Sequence, residues 1–270
     1  GSVNQLREIA AQLVKLAKTT NITVLLVGHV TKEGHIAGPR VLEHMVDAVL
    51  YFESESGSRF RILRAIKNRF GAANELGIFA MTEVGMSEVK NPSAIFLSRH
   101  ATQISGSVVT VAREGSRPLL IEVQALVDQS GGSAPRRLAV GLDQNRLSML
   151  LATLNRHAGI STHTHDVFLN VVGGVRISET SADLATLAAA VSSLQDIPIV
   201  QGAVVFGEVG LAGEIRPVIY GEERLREAVK RGFTTAIIPQ ANMPKRSIKG
   251  LQLTGVDYLQ GALEALGLIR

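Results

Sequence analysis

The chain has 270 residues, 46 % hydrophobic and 19 % charged with a net charge of +4, which is enough apolar sequence to fill two modest cores. It contains no cysteine, which excludes disulfides and cysteine-ligated metals and is compatible with a cytoplasmic protein. No apolar run reaches membrane-spanning length and no signal peptide is present, so nothing here is expected to enter or cross a membrane; the mild positive charge suits a local basic surface for nucleic acid without implying one.

Leu6, Ile9, Ala10, Leu13, Leu16 and Ala17 recur at helical spacing and predict a helix to Thr20, with Ser2 as its cap. The apolar run 22–27, ending in Gly28, predicts a buried parallel strand, and a helix followed by a buried strand is half of a doubly wound α/β unit. A Gly- and His-containing loop over 31–40 and a short helix over 41–45 come next. Strands are predicted over 47–53, 60–66 and 76–82, and a turn at Glu83-Val84-Gly85 leads into another over 86–89. Periodicity breaks between Asn91 and Ser107, which separates a domain of residues 1–98 from one of 103–270.

In the second domain, 108–112 and 119–125 alternate as a hairpin around Glu114-Gly115-Ser116. Residues 143–157 form an amphipathic helix with Leu147, Leu150, Leu151 and Leu154 on one face. A strand over 167–172, a helix over 182–194 and a strand over 203–208 follow. A helix over 222–231 is stopped by Gly232, and 236–239 is the last predicted strand. No internal repeat is visible.

The pentapeptide Lys67-Asn68-Arg69-Phe70-Gly71 carries the most chemistry. On an extended backbone Lys67 and Arg69 face the same way, roughly 6–7 Å apart, and can grip one polyanion together. Lysine supplies a mobile point charge and arginine a fork that bridges two phosphate oxygens; a solvated basic turn is the plainer alternative. Arg136, Arg137, Arg146, Arg156, Lys245, Arg246 and Lys249 are candidates for DNA backbone contacts if they share a face. His157, His163, His165 and Asp166 have no spacing that would force them to converge on a metal, and they are read as an ordinary polar loop.

Three segments, Gly28 to Gly34, Ala37 to Asp47 and Lys67 to Gly71, occur in the order and spacing of the bacterial RadA (Sms) recombination proteins, which the chain resembles along essentially all its length. The resemblance implies a partial RecA-like doubly wound sheet followed by an α+β Lon protease-like domain. It implies that His29, directly after a central strand, senses the γ-phosphate; a histidine capping a strand end is the other reading. Lys32, His35 and Arg40 fall where RecA-like proteins carry a mobile DNA-binding loop. Lys67 and Arg69, with Asn68, Phe70 and Gly71 completing the motif, would reach the nucleotide of a neighbouring subunit in the manner of an arginine finger.

The sequence has no glycine-rich P-loop ending in Gly-Lys-Ser/Thr and lacks the family's four-cysteine zinc motif. The resemblance therefore implies a C-terminal portion: ATP and Mg²⁺ belong to the complete protein, zinc to an N-terminal region, and the chain alone is not expected to hydrolyse ATP. The expected partners are single-stranded and branched DNA, a RecA-type recombinase and further copies in a hexameric ring. The function implied is that of a DNA-dependent ATPase of recombination and repair, a motor for branch migration or strand extension. A DNA-binding and oligomerisation module without enzymatic activity is the alternative.

A Lon-type serine peptidase is a third possibility, because residues 206–218 resemble a Lon stretch and the Lon nucleophile matches Ser181 within Glu179-Thr180-Ser181-Ala182-Asp183. The catalytic lysine position falls on Glu222, however, and a Ser-Lys dyad needs a neutral amine within hydrogen-bond reach. Arg224 is permanently protonated, and Lys230 lies about 12 Å further along the helix. Ser181 is therefore expected to satisfy backbone N–H groups in the first turn of a helix.

Overall fold

The helical spacing near the N-terminus forms as α1 (Val3–Thr20), and the short helix as α2 (Val41–Met45). The structure, a computed structural model, describes residues 3–28, 41–54, 59–73, 75–91, 93, 95–97, 104–132 and 134–270. Ser2, His29, Lys32, His35 and Arg40 lie outside the described residues. The chain divides into two units, Gly1–Val89 and Lys90–Arg270. Ser93 and Phe96 are buried in the second: Ser93 Oγ accepts the Leu120 N–H at 3.3 Å and the Phe96 carbonyl accepts that of Glu122 at 2.9 Å.

In the first unit β1 (Ala48–Glu53), β2 (Phe60–Asn68), β3 (Leu76–Thr82) and β4 (Gly85–Glu88) form an antiparallel four-stranded sheet in chain order. The predicted strand over 22–27 is a correction. Residues 22–28 take no regular structure, and Leu25 and Val27 are 83 % and 97 % exposed. A buried parallel strand needs neighbours to take its backbone hydrogen bonds, and among the described residues none runs alongside it. Among the described residues the first unit shows helix and antiparallel sheet, and the chain as a whole has the α/β class expected of it.

The second unit is a mixed seven-stranded sheet in the order β13-β12-β9-β5-β6-β8-β7. Its strands are β5 (Ser107–Glu114), β6 (Arg117–Gln129), β7 (Arg137–Val140), β8 (His165–Val171), β9 (Ala203–Val205), β12 (Thr235–Pro239) and β13 (Gln252–Val256), with β10 (Glu208–Val209) and β11 (Ile215–Arg216) as a separate ribbon. Asp143 caps α3 (Gln144–Ala158) by accepting the Arg146 N–H, and the leucine face is buried as its spacing requires. In α4 (Asp183–Gln195), the run Asp183 to Ser192 is buried on all sides, the behaviour of a helix apolar around its circumference. A core cluster of Val111, Leu120, Val204, Phe206, Leu225 and Ile238 lies between the sheet and α5 (Gly221–Lys230).

The predicted strand over 203–208 breaks at Phe206. There the Gly207 N–H donates to the Ser181 carbonyl at 2.8 Å, and the Gly207 carbonyl accepts the Leu184 N–H at 3.1 Å. The chain leaves the sheet to clamp the start of α4, which fixes Ser181. Beyond the last predicted strand the structure adds β13 and α6 (Leu259–Ala265), and β7 is likewise new.

Candidate functional site

The first candidate site is the end of β2. Register pairs Ala48 with Asn68 and Val49 with Lys67, and the strand stops at Asn68, so Arg69 and Phe70 lie in a turn. Lys67 and Arg69 do not share a strand face; this corrects the extended-backbone expectation. Lys67 Nζ donates to the carbonyls of Glu43 (2.9 Å) and His44 (3.3 Å), in the last turn of α2. The carbonyl end of a helix attracts a cation but does not neutralise it.

Arg69 Nη1 donates to Asp47 Oδ1 at 3.2 Å, with side chains 59 % and 45 % exposed, while its N–H donates to the Asp47 carbonyl. An exposed pair of this kind contributes about 0–1 kcal/mol, which a phosphate can displace. Asn68 staples the turn: its Oδ1 accepts the Phe70 N–H and its Nδ2 donates to the Ala72 carbonyl, both at 3.3 Å. A Cβ at residue 71 would lie 2.6 Å from Asn68 Nδ2, so the staple requires glycine there. Two cations with replaceable partners thus stand on a braced turn.

The second site centres on Ser181 in the second unit. Its hydroxyl, 1 % exposed, donates to Glu179 Oε1 at 2.5 Å and does not cap α4. Arg224, fully buried, donates through Nη1 and Nη2 to the two Glu179 oxygens, each at 2.7 Å, and through Nη1 to Ser181 Oγ at 3.3 Å. Its Nη1 also donates to the Val111 carbonyl and its Nε to that of Ile219. Burial pushes the Glu179 carboxyl up, but the hydrogen bonds and charge of Arg224, with help from Ser181 and the Arg113 N–H, hold it below the usual carboxylate range.

Glu222, the residue aligned with a catalytic lysine, faces solvent and pairs with Arg226 at 2.6 Å. The cation against Ser181 is Arg224 instead, two positions on and therefore on another face of α5. Sequence reasoning missed both Glu179 and Arg224 as site residues. The signal was there: positions 221, 224, 225 and 228 form the buried stripe of α5, and an arginine sits on it.

This centre holds a proton where a peptidase must remove one. Glu179 is a poor base while Arg224 keeps it ionised, and Arg224 cannot become one. The neighbouring cavity, about 340 Å³, is lined by Ser178, Glu179 and Thr180 but not by Ser181. Incubation with unfolded casein and with a fluorophosphonate probe is expected to give neither cleavage nor labelling. Labelling lost on Ser181→Ala would overturn that.

Of the other predicted cations, Arg146 is tied to Asp183, whose carboxyl burial pushes up against the pull of Arg146 and the Val209 N–H. The Arg146 side chain is 27 % exposed, and most of it is committed to this pair. The Arg136 N–H and guanidinium hold Asp166 below the usual range, though the Arg136 side chain stays 73 % exposed. Arg137 donates to the carbonyls of Thr162, His165 and Arg136. His157 Nε2 lies 2.9 Å from the Leu211 carbonyl, and no cluster among the described residues could hold a metal ion. No helix of the described residues is long and apolar enough to cross a membrane.

The Lon protease (S16) C-terminal proteolytic domain matches residues 147–265. The DNA repair protein RadA of Pseudomonas aeruginosa is 61 % identical over 98 % of this chain and 59 % of its own length. That of Escherichia coli is 60 % identical over 97 % and 57 %, and that of Bacillus subtilis 50 % over 97 % and 58 %. The chain spans a little under three fifths of the curated relatives it matches. Identity at this level along almost its whole length places the chain in the RadA family, over the part of those proteins that it spans.

Proposed function

We propose that this chain acts in DNA repair by homologous recombination, as the phosphate-gripping part of a DNA-dependent ATPase that drives branch migration or strand extension. The observation that carries this reading is the Lys67–Gly71 corner, where the bonds holding two cations can be exchanged for phosphate oxygens. In a hexameric ring, Lys67 and Arg69 reach the nucleotide of a neighbouring copy and stabilise the charge developing on its terminal phosphate. ATP with Mg²⁺, bound through a P-loop in the complete protein, supplies the transferred phosphoryl group. The Lon-like unit, its serine locked by Glu179 and Arg224, acts as a scaffold.

Single-stranded and branched DNA are the substrates on which the ring moves, beside a RecA-type recombinase. Arg136, Arg137 and Arg146 are its DNA-facing candidates in the second unit, and Lys32, His35 and Arg40 in the first. Contacts to phosphates make binding insensitive to sequence and steep in salt, with a log–log slope of about −0.9 per neutralised phosphate on duplex and about −0.7 on single strands. Titration of labelled oligonucleotides between low and moderate salt checks this. An affinity flat across that range would remove DNA from the reading.

A further inference from the structure

The phosphate reading leaves Phe70 unexplained. Its side chain is 82 % exposed, more than any other exposed aromatic of the described residues, although burying a phenyl ring is strongly favourable. The backbone that carries the ring is braced. Its own N–H is held by Asn68 Oδ1, a Cβ at the next position would press on the Asn68 amide at 2.6 Å, and the Arg69 guanidinium lies 5.6 Å from the ring centroid. A backbone braced beforehand lowers the entropy lost on binding.

The surroundings choose the ligand. An apolar protein surface laid over Phe70 would have to strip water from Arg69 beside it, and desolvating a cation without a new partner is costly. A nucleotide meets both demands, offering a flat π-face to the ring and a phosphate to the guanidinium. Ala72 and Ala73, which follow the turn, are small and exposed.

We propose that the Lys67–Gly71 corner binds a whole nucleotide unit, an unpaired base stacking on Phe70 while its phosphates lie on Arg69 and Lys67. This rests on the reading of the two cations as phosphate ligands and adds the recognition of a base. The same chemistry is presented by single-stranded DNA and by a free nucleotide such as ATP.

The test measures binding of the full chain to a labelled oligothymidylate and to an oligomer of equal length in which abasic sites replace the bases. The oligothymidylate is expected to bind at least about fivefold more tightly, the low end of one base–aromatic stack. Phe70→Ala should abolish that preference while leaving the abasic oligomer's affinity within about twofold, and Phe70→Tyr should keep it. Arg69→Ala should weaken both oligomers and make the salt slope shallower by about 0.7. Displacement by unlabelled ATP that depends on Phe70 assigns the site to free nucleotide as well; failure to displace assigns it to the single strand. Equal affinity for the two oligomers, a preference that survives in Phe70→Ala, or no binding of either oligomer or ATP overturns the proposal. If the preference follows Phe70 but Lys67→Ala and Arg69→Ala leave the abasic oligomer unaffected, the phosphate reading is what fails.

Discussion

Lys67→Ala or Arg69→Ala, placed in a protein that carries these residues together with a P-loop, should lower DNA-stimulated ATP turnover by at least about tenfold while leaving ATP binding and the fold nearly unchanged. The fold is spared because neither side chain is buried. Arg69 gives up one exposed ion pair, worth about 0–1 kcal/mol, and Lys67 gives up two carbonyl contacts at the end of α2. ATP binding is spared because the P-loop of the same subunit holds most of the nucleotide. Turnover suffers because a cation acting across an interface can be worth about 10³–10⁵ in rate for arginine; tenfold is a cautious lower limit when a lysine shares the work.

A mixing experiment isolates action in trans. Combined with a P-loop variant that binds no ATP, either alanine variant should recover part of the lost turnover, since each subunit donates what the other lacks. Steady-state hydrolysis against mixing ratio measures this. If both alanine variants hydrolyse ATP at the unmutated rate while DNA affinity drops, the corner holds DNA phosphates only, and its reach into a neighbour's nucleotide is wrong.

Local pattern was legible wherever the elements are local. The leucine stripe of α3, the hairpin of β5 and β6, and the strands before and after the Lys67–Gly71 corner follow from alternation and helical spacing, and they form where that spacing puts them. The run over 22–27 was misread because an apolar run signals a buried strand only if other strands flank it, which sequence spacing does not report. β7 was too short, at four residues, to show a period. The extended reading of Lys67 to Arg69 failed because β2 ends one residue too soon, a matter of pairing with β1. At the serine centre, matching by family position led to Glu222, whereas helical periodicity alone would have put Arg224 on the buried face.

That buried arginine gives the largest stability effect. Arg224→Ala should destabilise the second unit by about 3–5 kcal/mol, the usual result of removing one member of a buried ion pair. Glu179 would be left in place without its counter-charge, and the carbonyls of Val111 and Ile219 would each lose a donor. Replacing both charges together, as in Arg224→Met with Glu179→Gln, should cost much less, because no charge is left unpaired.

Acid separates the pair from mere packing. The folded-state pKa of Glu179 is depressed, so its contribution is fully present above the unfolded value near 4.5 and is lost as pH falls towards the lower folded value. Asp183, whose carboxyl is raised by burial, works in the opposite sense and is common to wild type and variant, so it drops out of their difference. The gap between wild type and Arg224→Ala should therefore be widest near neutral pH and shrink as the pH falls into the acid range where Glu179 is protonated. Hydrogen exchange of the α4 amides reads the stability of this unit without requiring the whole chain to unfold in one step. A gap under about 1 kcal/mol at neutral pH, or one that stays constant into acid, would mean that Arg224 merely fills space and that Glu179 is held by something else.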